Sequence, residues 1–383
     1  MTDNTSRRRF LALSGVTAAG AVAGCSGLTG ESGDGSGASM GVSLSDFRGS
    51  GPMVESRGAP EGTSIADLPD LEGELTVYLG GGEGGLYVDL INLFEQAYDG
   101  FTVNQRLEAS SSLANTIIEE SEAGAPQADL FMSVDAGSLG AIANAGATAS
   151  LPEEALSTVP GSFQDSEGRW VGFAGRARAI PYNTNTLSAS DIPDTVQEFP
   201  NTPALEGTMG WAPTYSAFQS FITAMRLIRG DDEARAWLQS MQDHGITEYG
   251  NEFAVSNNCA TGELAAGFAN HYYSLRVRAA RPDAPLELAF TEGDAGALVN
   301  VSGLSILDGT DNSELAGNFV RHVLSAEAQE FFATRTFAYP MIPGVQPVGG
   351  LPRIDDLNPP DIELTELADL SGTVDLMRDA GVL

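Results

Sequence analysis

Lysine is absent from this chain: all 19 basic residues are arginine, set against 52 acidic ones, for a formal net charge of −33 over 383 residues. A surface with so little positive charge repels nucleic acid and anionic membranes, which argues against both as partners. With hydrophobic residues at 42% the imbalance is not that of a disordered chain. It suits a salt-adapted surface on which concentrated electrolyte screens the self-repulsion. Cysteine is nearly absent too, with only Cys25 and Cys259. An intramolecular disulfide in the mature body is therefore not expected, and Cys259 reads as a small buried apolar residue. No H-E-x-x-H, C-x-x-C or Walker sequence occurs, so zinc-hydrolase and NTPase chemistry lack their parts. Of three histidines, His244 and His322 sit in polar or helical stretches without a ligand pattern.

What the N-terminus does hold is an address. Ser6-Arg7-Arg8-Arg9-Phe10-Leu11 is a twin-arginine run, a mild apolar stretch follows, and it ends in Val22-Ala23-Gly24-Cys25. Basic start, short apolar middle and small-residue end read as an export signal over residues 1–24, too short to span a membrane. The ending resembles a lipobox. Cys25 is then the lipidated first residue of the mature protein and its only membrane anchor, on the outer face of the cell membrane. Residues 25–72 are rich in Gly, Ser, Asp, Glu and Pro and read as a flexible acidic tether. Within it Gly37-Ala38-Ser39-Met40-Gly41 fits G-x-S-x-G but lacks the strand-turn-helix setting of a nucleophile elbow.

The remaining residues, 73–383, are too many for one simple core and suit two lobes. Glu74-Leu75-Thr76-Val77-Tyr78 has a strand pattern, Gly80 to Gly85 is a glycine loop, and Leu86, Leu90, Phe94 and Ala97 recur at helical spacing. A helix from Leu113 to Glu122, a strand at Ala128 to Ser133 and a helix from Leu139 to Ala145 continue the alternation. This is an α/β class with ligands expected at the carboxyl ends of strands, near Gly80 to Gly85 and Ser133 to Gly137. The glycine loop does not give G-x-G-x-x-G followed by a ribose-binding acid, so a nucleotide role is set aside. Arg176 to Tyr182 looks like a strand crossing between lobes, and Gly207 to Trp211 opens a second α/β unit. Thr214 to Phe218 leads into a helix, whose start is either an anion site or an ordinary cap by Thr214 or Ser216. Helices are expected at Glu233 to Gln242 and Ser325 to Thr334, with strand at Asp294 to Val299.

The most telling stretch is Asn270-His271-Tyr272-Tyr273. A tyrosine phenol has a pKa near ~10 and ionises at neutral pH only beside a strong cation. Fe3+ is such a cation, and hard oxygen donors suit it. If the segment is extended, successive side chains point to opposite faces, so two phenols on one metal require an irregular backbone.

Taken in order, Leu75 to Tyr78, Ala128 to Phe131, Gly175-Arg176-Ala177-Arg178, Asn270 to Tyr273, Asp294 to Val299, Ser302-Gly303 and Tyr339-Pro340 resemble the ferric-iron-binding extracellular solute receptors of ABC importers, from about Glu74 to Leu383. The resemblance implies a periplasmic-binding-protein-like α/β fold of two lobes joined by hinge strands around a central cleft. Lobe 1 is expected at residues 73–177 plus 291–325, and lobe 2 at 178–290 plus 326–383. It implies Fe3+ bound by Tyr272 and Tyr273, with phosphate or carbonate as synergistic anion. The anion cradle falls on Tyr215, Ser216 and Ala217, with Asn251 and Asn270 as side-chain donors. Arg178 either contacts the anion or braces the hinge. Relatives place a histidine where this chain has Gly82, beside Glu83, and a carboxylate where it has Val134, one place before Asp135. Either Glu83 and Asp135 substitute as metal ligands, or water and anion oxygens fill those positions. His271 is expected behind the ligands rather than on the metal. The implied function is capture and delivery to a permease and its ATPase by a monomeric receptor, not catalysis. In the same fold the alternative cargo is thiamine, a polyamine, a sugar or an anion.

Overall fold

The computed structural model describes residues 41–81 and 86–383. The export signal, Cys25 and Glu83 lie outside the described residues. A four-residue helix, Leu44–Phe47 (α1), buries Phe47 against Phe94 with ring centroids 6.1 Å apart. Beyond it Val54, Ile65, Leu68 and Leu71 are all buried. Arg48 and Arg57 both pair with the buried carboxylate of Glu330, at 2.8 and 2.7 Å. Residues 41–72, expected as part of a flexible tether, are therefore a strap packed on the body. Its glycines and acidic residues conceal widely spaced apolar anchors, and two arginines whose common partner lies far along the chain.

Gly73–Gly80 (β1) carries apolar side chains at successive positions, and Leu75, Val77, Tyr78 and Leu79 are buried, as in a parallel strand covered on both faces. In Leu86–Ala97 (α2) Tyr87, Leu90, Ile91 and Phe94 form one buried stripe at helical spacing. Phe101–Glu108 (β2) pairs parallel to β1 at the sheet edge with only Phe101 buried. Its largely polar sequence is why hydrophobic pattern does not single it out. Ser110–Glu122 (α3), Leu130–Ser133 (β3) and Ala136–Asn144 (α4) complete the alternation.

A short helix, Glu153–Leu156 (α5), precedes the 13-residue strand Val171–Asn183 (β4). The second lobe then contains Met209–Trp211 (β5), Ser216–Arg229 (α6), Asp231–Asp243 (α7), Thr247–Glu248 (β6), Glu252–Thr261 (α8), Ala266–Gly267 (β7), Ala269–Asn270 (β8), His271–Ala280 (α9) and Leu286–Ala289 (β9). The chain returns through Val299–Ile306 (β10), Ser313–Val323 (α10), Ala326–Phe331 (α11), a π-helical turn at Phe332–Thr336, Tyr339–Pro340 (β11) and Leu370–Asp379 (α12).

Strand β4 changes partners half-way along. Residues 171–177 run antiparallel to β10, and Ala174 and Gly175 also face β11. From Arg178 the same strand pairs with β8, and from Ile180 with β9. One strand thus serves two groups of partner strands, and the change falls between Ala177 and Arg178.

Two expectations change. Asp294 to Val299 is not continuous strand: Ala295–Ala297 is a 3-10 turn, and strand begins at Val299. The Asp294 carboxylate organises the turn, accepting from Gly296 N at 2.9 Å, Thr291 Oγ1 at 2.7 Å and Val196 N at 2.6 Å. Residues 326–383 do not all join the second lobe. Phe332 packs on Phe173 and Tyr87, 5.0 and 5.8 Å between centroids, and β11 pairs with the first half of β4. A 3-10 turn, Leu364–Ala368, lies against α4 so closely that a Cβ on Gly140 would sit 2.4 Å from Thr365. Helix α12 then packs on α6, with Thr373 Oγ1 2.7 Å from Thr223 Oγ1. The C-terminal segment thus crosses from one lobe to the other, which position in the sequence does not reveal.

Candidate functional site

The site is built where β8 turns directly into α9. Asn270 ends the strand and stands at the helix N-cap, and Tyr272 and Tyr273 occupy the first helical turn. The extended geometry considered above is replaced by helix, which sets consecutive side chains about 100° apart rather than on opposite faces. Their ring centroids lie 4.3 Å apart with planes at 44°. Both rings are buried, and Tyr272 lines a cavity of about 530 Å³ between the lobes. The Tyr273 hydroxyl hydrogen-bonds the hydroxyl of Tyr215, whose ring meets it edge-on at 6.0 Å. Three phenols therefore stand together. Burial, and then the neighbouring phenols Tyr272 and Tyr215, push the Tyr273 hydroxyl above the usual tyrosine range. It keeps its proton until a strong cation displaces it.

His271 is fully buried beside them. Its Nδ1 lies 3.2 Å from the Ala177 carbonyl and its Nε2 2.8 Å from that of Phe337, so both nitrogens face backbone rather than cleft. Burial holds the ring neutral, with its pKa lowered to about 4. Phe337 is the one non-glycine residue with positive φ, 61°, among the described residues, and it closes the π-helical turn.

Tyr215 is the N-cap of α6 and makes no side-chain cap bond, nor does Thr214 or Ser216 act as the cap. Tyr215, Ser216 and Ala217 all line the cavity, placing the positive end of a 14-residue helix on it. Arg178 enters from the partner switch of β4. Its Nη1 donates to Glu252 and, at 3.2 Å, to Asn270 Oδ1, while Nη2 is buried without a protein partner. Glu252 has no exposed surface and also accepts from Asn270 N at 2.8 Å. Asn270 and Arg178 thus reach the cavity together. Asn251 does not line it: its Oδ1 accepts from Ala254 N at 2.9 Å and caps α8. The residue that reaches inward is its neighbour Glu252, one place on.

The opposite wall is different in kind. Val134 lines the cavity, and its carbonyl accepts from Arg176. Asp135 also lines it, but its carboxylate caps α4, accepting from Ser138 N at 2.7 Å and Ser138 Oγ at 3.2 Å. Ser110 and Ser111 present the start of α3, whose N-cap, Ala109, offers no side chain to it. Arg176 is a cavity residue that the sequence reading passed over. The signal was present, since Arg176 and Arg178 are two apart in one strand and so share a face. No three His, Cys, Asp or Glu side chains come together among the described residues.

The pattern of the bacterial extracellular solute-binding proteins matches residues 89–356. The chain belongs to this family. As a solute-binding receptor it is not an enzyme. Among its relatives, the Fe(3+)-binding periplasmic protein of Serratia marcescens is 27% identical over 302 residues, 76% of this chain and 88% of that one. Iron-bound HitA of Pseudomonas aeruginosa superposes with a TM-score of 0.67 at 28% identity, over 80% of this chain and 99% of that one. A Trichodesmium protein in complex with iron and citrate ligands superposes at 0.68 with 25% identity, over 81% and 100%. The resemblance to ferric-binding receptors and the two-lobe fold are thereby borne out. Among the described residues no helix is long and apolar enough to cross a membrane.

Proposed function

We propose that this receptor captures Fe3+ outside the cell and delivers it to the permease of an ABC importer, powered by that importer's ATPase. The observation that carries the reading is the convergence of Tyr272, Tyr273 and Tyr215 beside an uncapped helix start and the unpartnered Nη2 of Arg178. Tyr272 and Tyr273 bind the metal as phenolates, and Tyr215 is near enough to add a third. A phosphate or carbonate is held by Ser216 and Ala217 at the start of α6, with Arg178 and Asn270 beside it, and supplies further oxygens and negative charge. Asp135 and Glu83 remain candidate donors from the other wall, and Asn251 would act only from outside the cavity. The lobes close about the partner switch of β4. Each phenol gives up a proton to the cargo, so affinity falls as pH falls. A monomer, exported through a twin-arginine signal and held by lipidated Cys25, fits this task. The acidic, lysine-free surface fits work in concentrated salt.

Visible absorption decides the matter. The full chain carrying Cys25→Ser is titrated with chelated Fe3+ at high salt, with and without phosphate. A phenolate-to-iron band that is lost in Tyr272→Phe and Tyr273→Phe establishes the receptor and its ligands. A folded protein that shows no band under any anion condition sinks the iron reading. The second reading, an organic anion bound without iron, draws on the cavity volume of about 530 Å³ and on the two arginines in its walls. Thermal stabilisation by such an anion, in the absence of a band, would favour it.

A further inference from the structure

Arg276 stands four residues after Tyr272 and three after Tyr273 on α9. These are the two spacings that bring side chains together on one helix face. Its guanidinium carbon lies 5.0 Å from the Tyr272 ring centroid and 5.6 Å from that of Tyr273. Both distances fall within the range at which an aromatic face attracts a cation. Because the two rings are 4.3 Å apart, one cation serves the pair. The arginine is itself half-buried, so bulk water screens the contact incompletely. Its flat guanidinium can lie along a ring face, which a lysine ammonium cannot.

We propose that Arg276 is a positioning residue for the cargo: it holds the two phenol rings in one orientation and sets the energy of their charge transfer to iron. The inference rests on the reading of Tyr272 and Tyr273 as iron ligands. In a phenolate–iron bond, visible light moves electron density from the ring to the metal. A cation over the ring lowers the donor level, so the transition demands more energy. Withdrawing that cation raises the donor level and moves the band to longer wavelength. The same positive charge lies close to the negative charge that each ring gains when its proton leaves. Stacking also restrains both rings before the metal arrives, which reduces the ordering required on binding.

The test compares the Fe3+-loaded full chain carrying Cys25→Ser with the same chain bearing Arg276→Met or Arg276→Lys. Arg276→Gln is held in reserve as a second neutral variant should the methionine protein not fold. The neutral variants are expected to shift the band to longer wavelength and to release iron to a competing chelator about tenfold faster, the change that a partly desolvated cation–π contact corresponds to. Arg276→Lys keeps the charge and is expected to return the band most of the way. Equal thermal midpoints of the iron-free proteins would show that the fold is not the cause. A band unmoved in a folded, loaded neutral variant overturns the role of Arg276 and leaves tyrosine ligation standing. Absence of any band in the unsubstituted protein removes the ligand reading, and this inference with it.

Discussion

The two walls of the cleft do different work. On the second lobe, Tyr272, Tyr273 and Tyr215 gather three phenols, α6 offers an uncapped start, and Arg178 keeps a buried nitrogen unpartnered. On the first lobe, Val134 is apolar, the Asp135 carboxylate is engaged at the start of α4, and Arg176 is tied to the Val134 carbonyl. Phenol donors are thus concentrated on one side, and the other presents Arg176, serine-lined helix starts and a carboxylate already engaged as a cap. Under the proposed function, the cargo would assemble on the phenol-bearing lobe and the other lobe would close over it. The arginines follow the same division. Arg178 is locked to a carboxylate with no solvent exposure, while Arg176 is only partly covered.

That contrast predicts the largest effect. Arg178→Met leaves Glu252 as a buried charge without its partner, and removing one member of such a pair costs about 3–5 kcal/mol. Arg176→Met loses a bond to one carbonyl and is expected to cost about 1–2 kcal/mol. Urea denaturation of the two variants at matched salt measures the difference. Equal losses would break the comparison, because Arg178 would then be no more embedded than Arg176. Arg178→Met combined with Glu252→Leu should recover much of the deficit, since an apolar pair of similar volume carries no uncompensated charge.

Each lobe also buries one neutral histidine, and here the lobes are expected to behave alike. His322, on α10, bonds Tyr98 Oη at 2.8 Å through Nε2 and faces the Asn318 carbonyl at 2.8 Å through Nδ1. Burial lowers its pKa from the ordinary 6.5 to about 4, as it does for His271. A folded-state value below the unfolded one means that the unfolded chain binds the extra proton. Stability is therefore complete above pH 6.5 and declines as pH falls toward 4. A shift of this size corresponds to about 3 kcal/mol per histidine. Replacing His322 by Gln should remove roughly half of the decline, as read from denaturation midpoints at pH 7.5 and 4.5. A decline of unchanged steepness would assign the acid response to carboxylates instead.

How much of this could be seen in the sequence follows the same division. The first lobe was legible because its central strands are short apolar runs and its helices repeat apolar residues at a period of 3.6. The polar edge strand β2 was not, since an edge strand need bury little. The Tyr272-Tyr273 pair stood out by residue type, but its geometry was not legible. Nothing local announces that β8 ends at Asn270 and that α9 begins at once, which is what sets the rings side by side. The strap at residues 41–72 was misread because composition reports average polarity. Phe47 and the Arg48 and Arg57 pairs to Glu330 are individual long-range contacts. Asn251, expected as a donor to the anion, is one residue from Glu252, whose buried carboxylate holds Arg178 and Asn270 at the cavity. Once α8 is seen to begin at Glu252, Asn251 is explained as its cap.

Asp135 supplies the finest test of the two-wall picture. It occupies the cavity surface, it follows Val134, the position to which the family resemblance assigns a carboxylate ligand, and its oxygens are already taken by Ser138. If capping is its work, Asp135→Ala should lower stability by about 1 kcal/mol, and Fe3+ affinity should stay within roughly a factor of three. Asp135→Ser should restore most of the stability, because serine caps a helix nearly as well as aspartate. A carboxylate that leaves the cap to reach the metal on closure gives the opposite pattern. Iron affinity would then fall tenfold or more in both variants, and serine would rescue the fold without rescuing the metal. That split outcome would show the first lobe contributing a donor from its helix cap, and the asymmetry of the walls would not extend to the iron-loaded receptor.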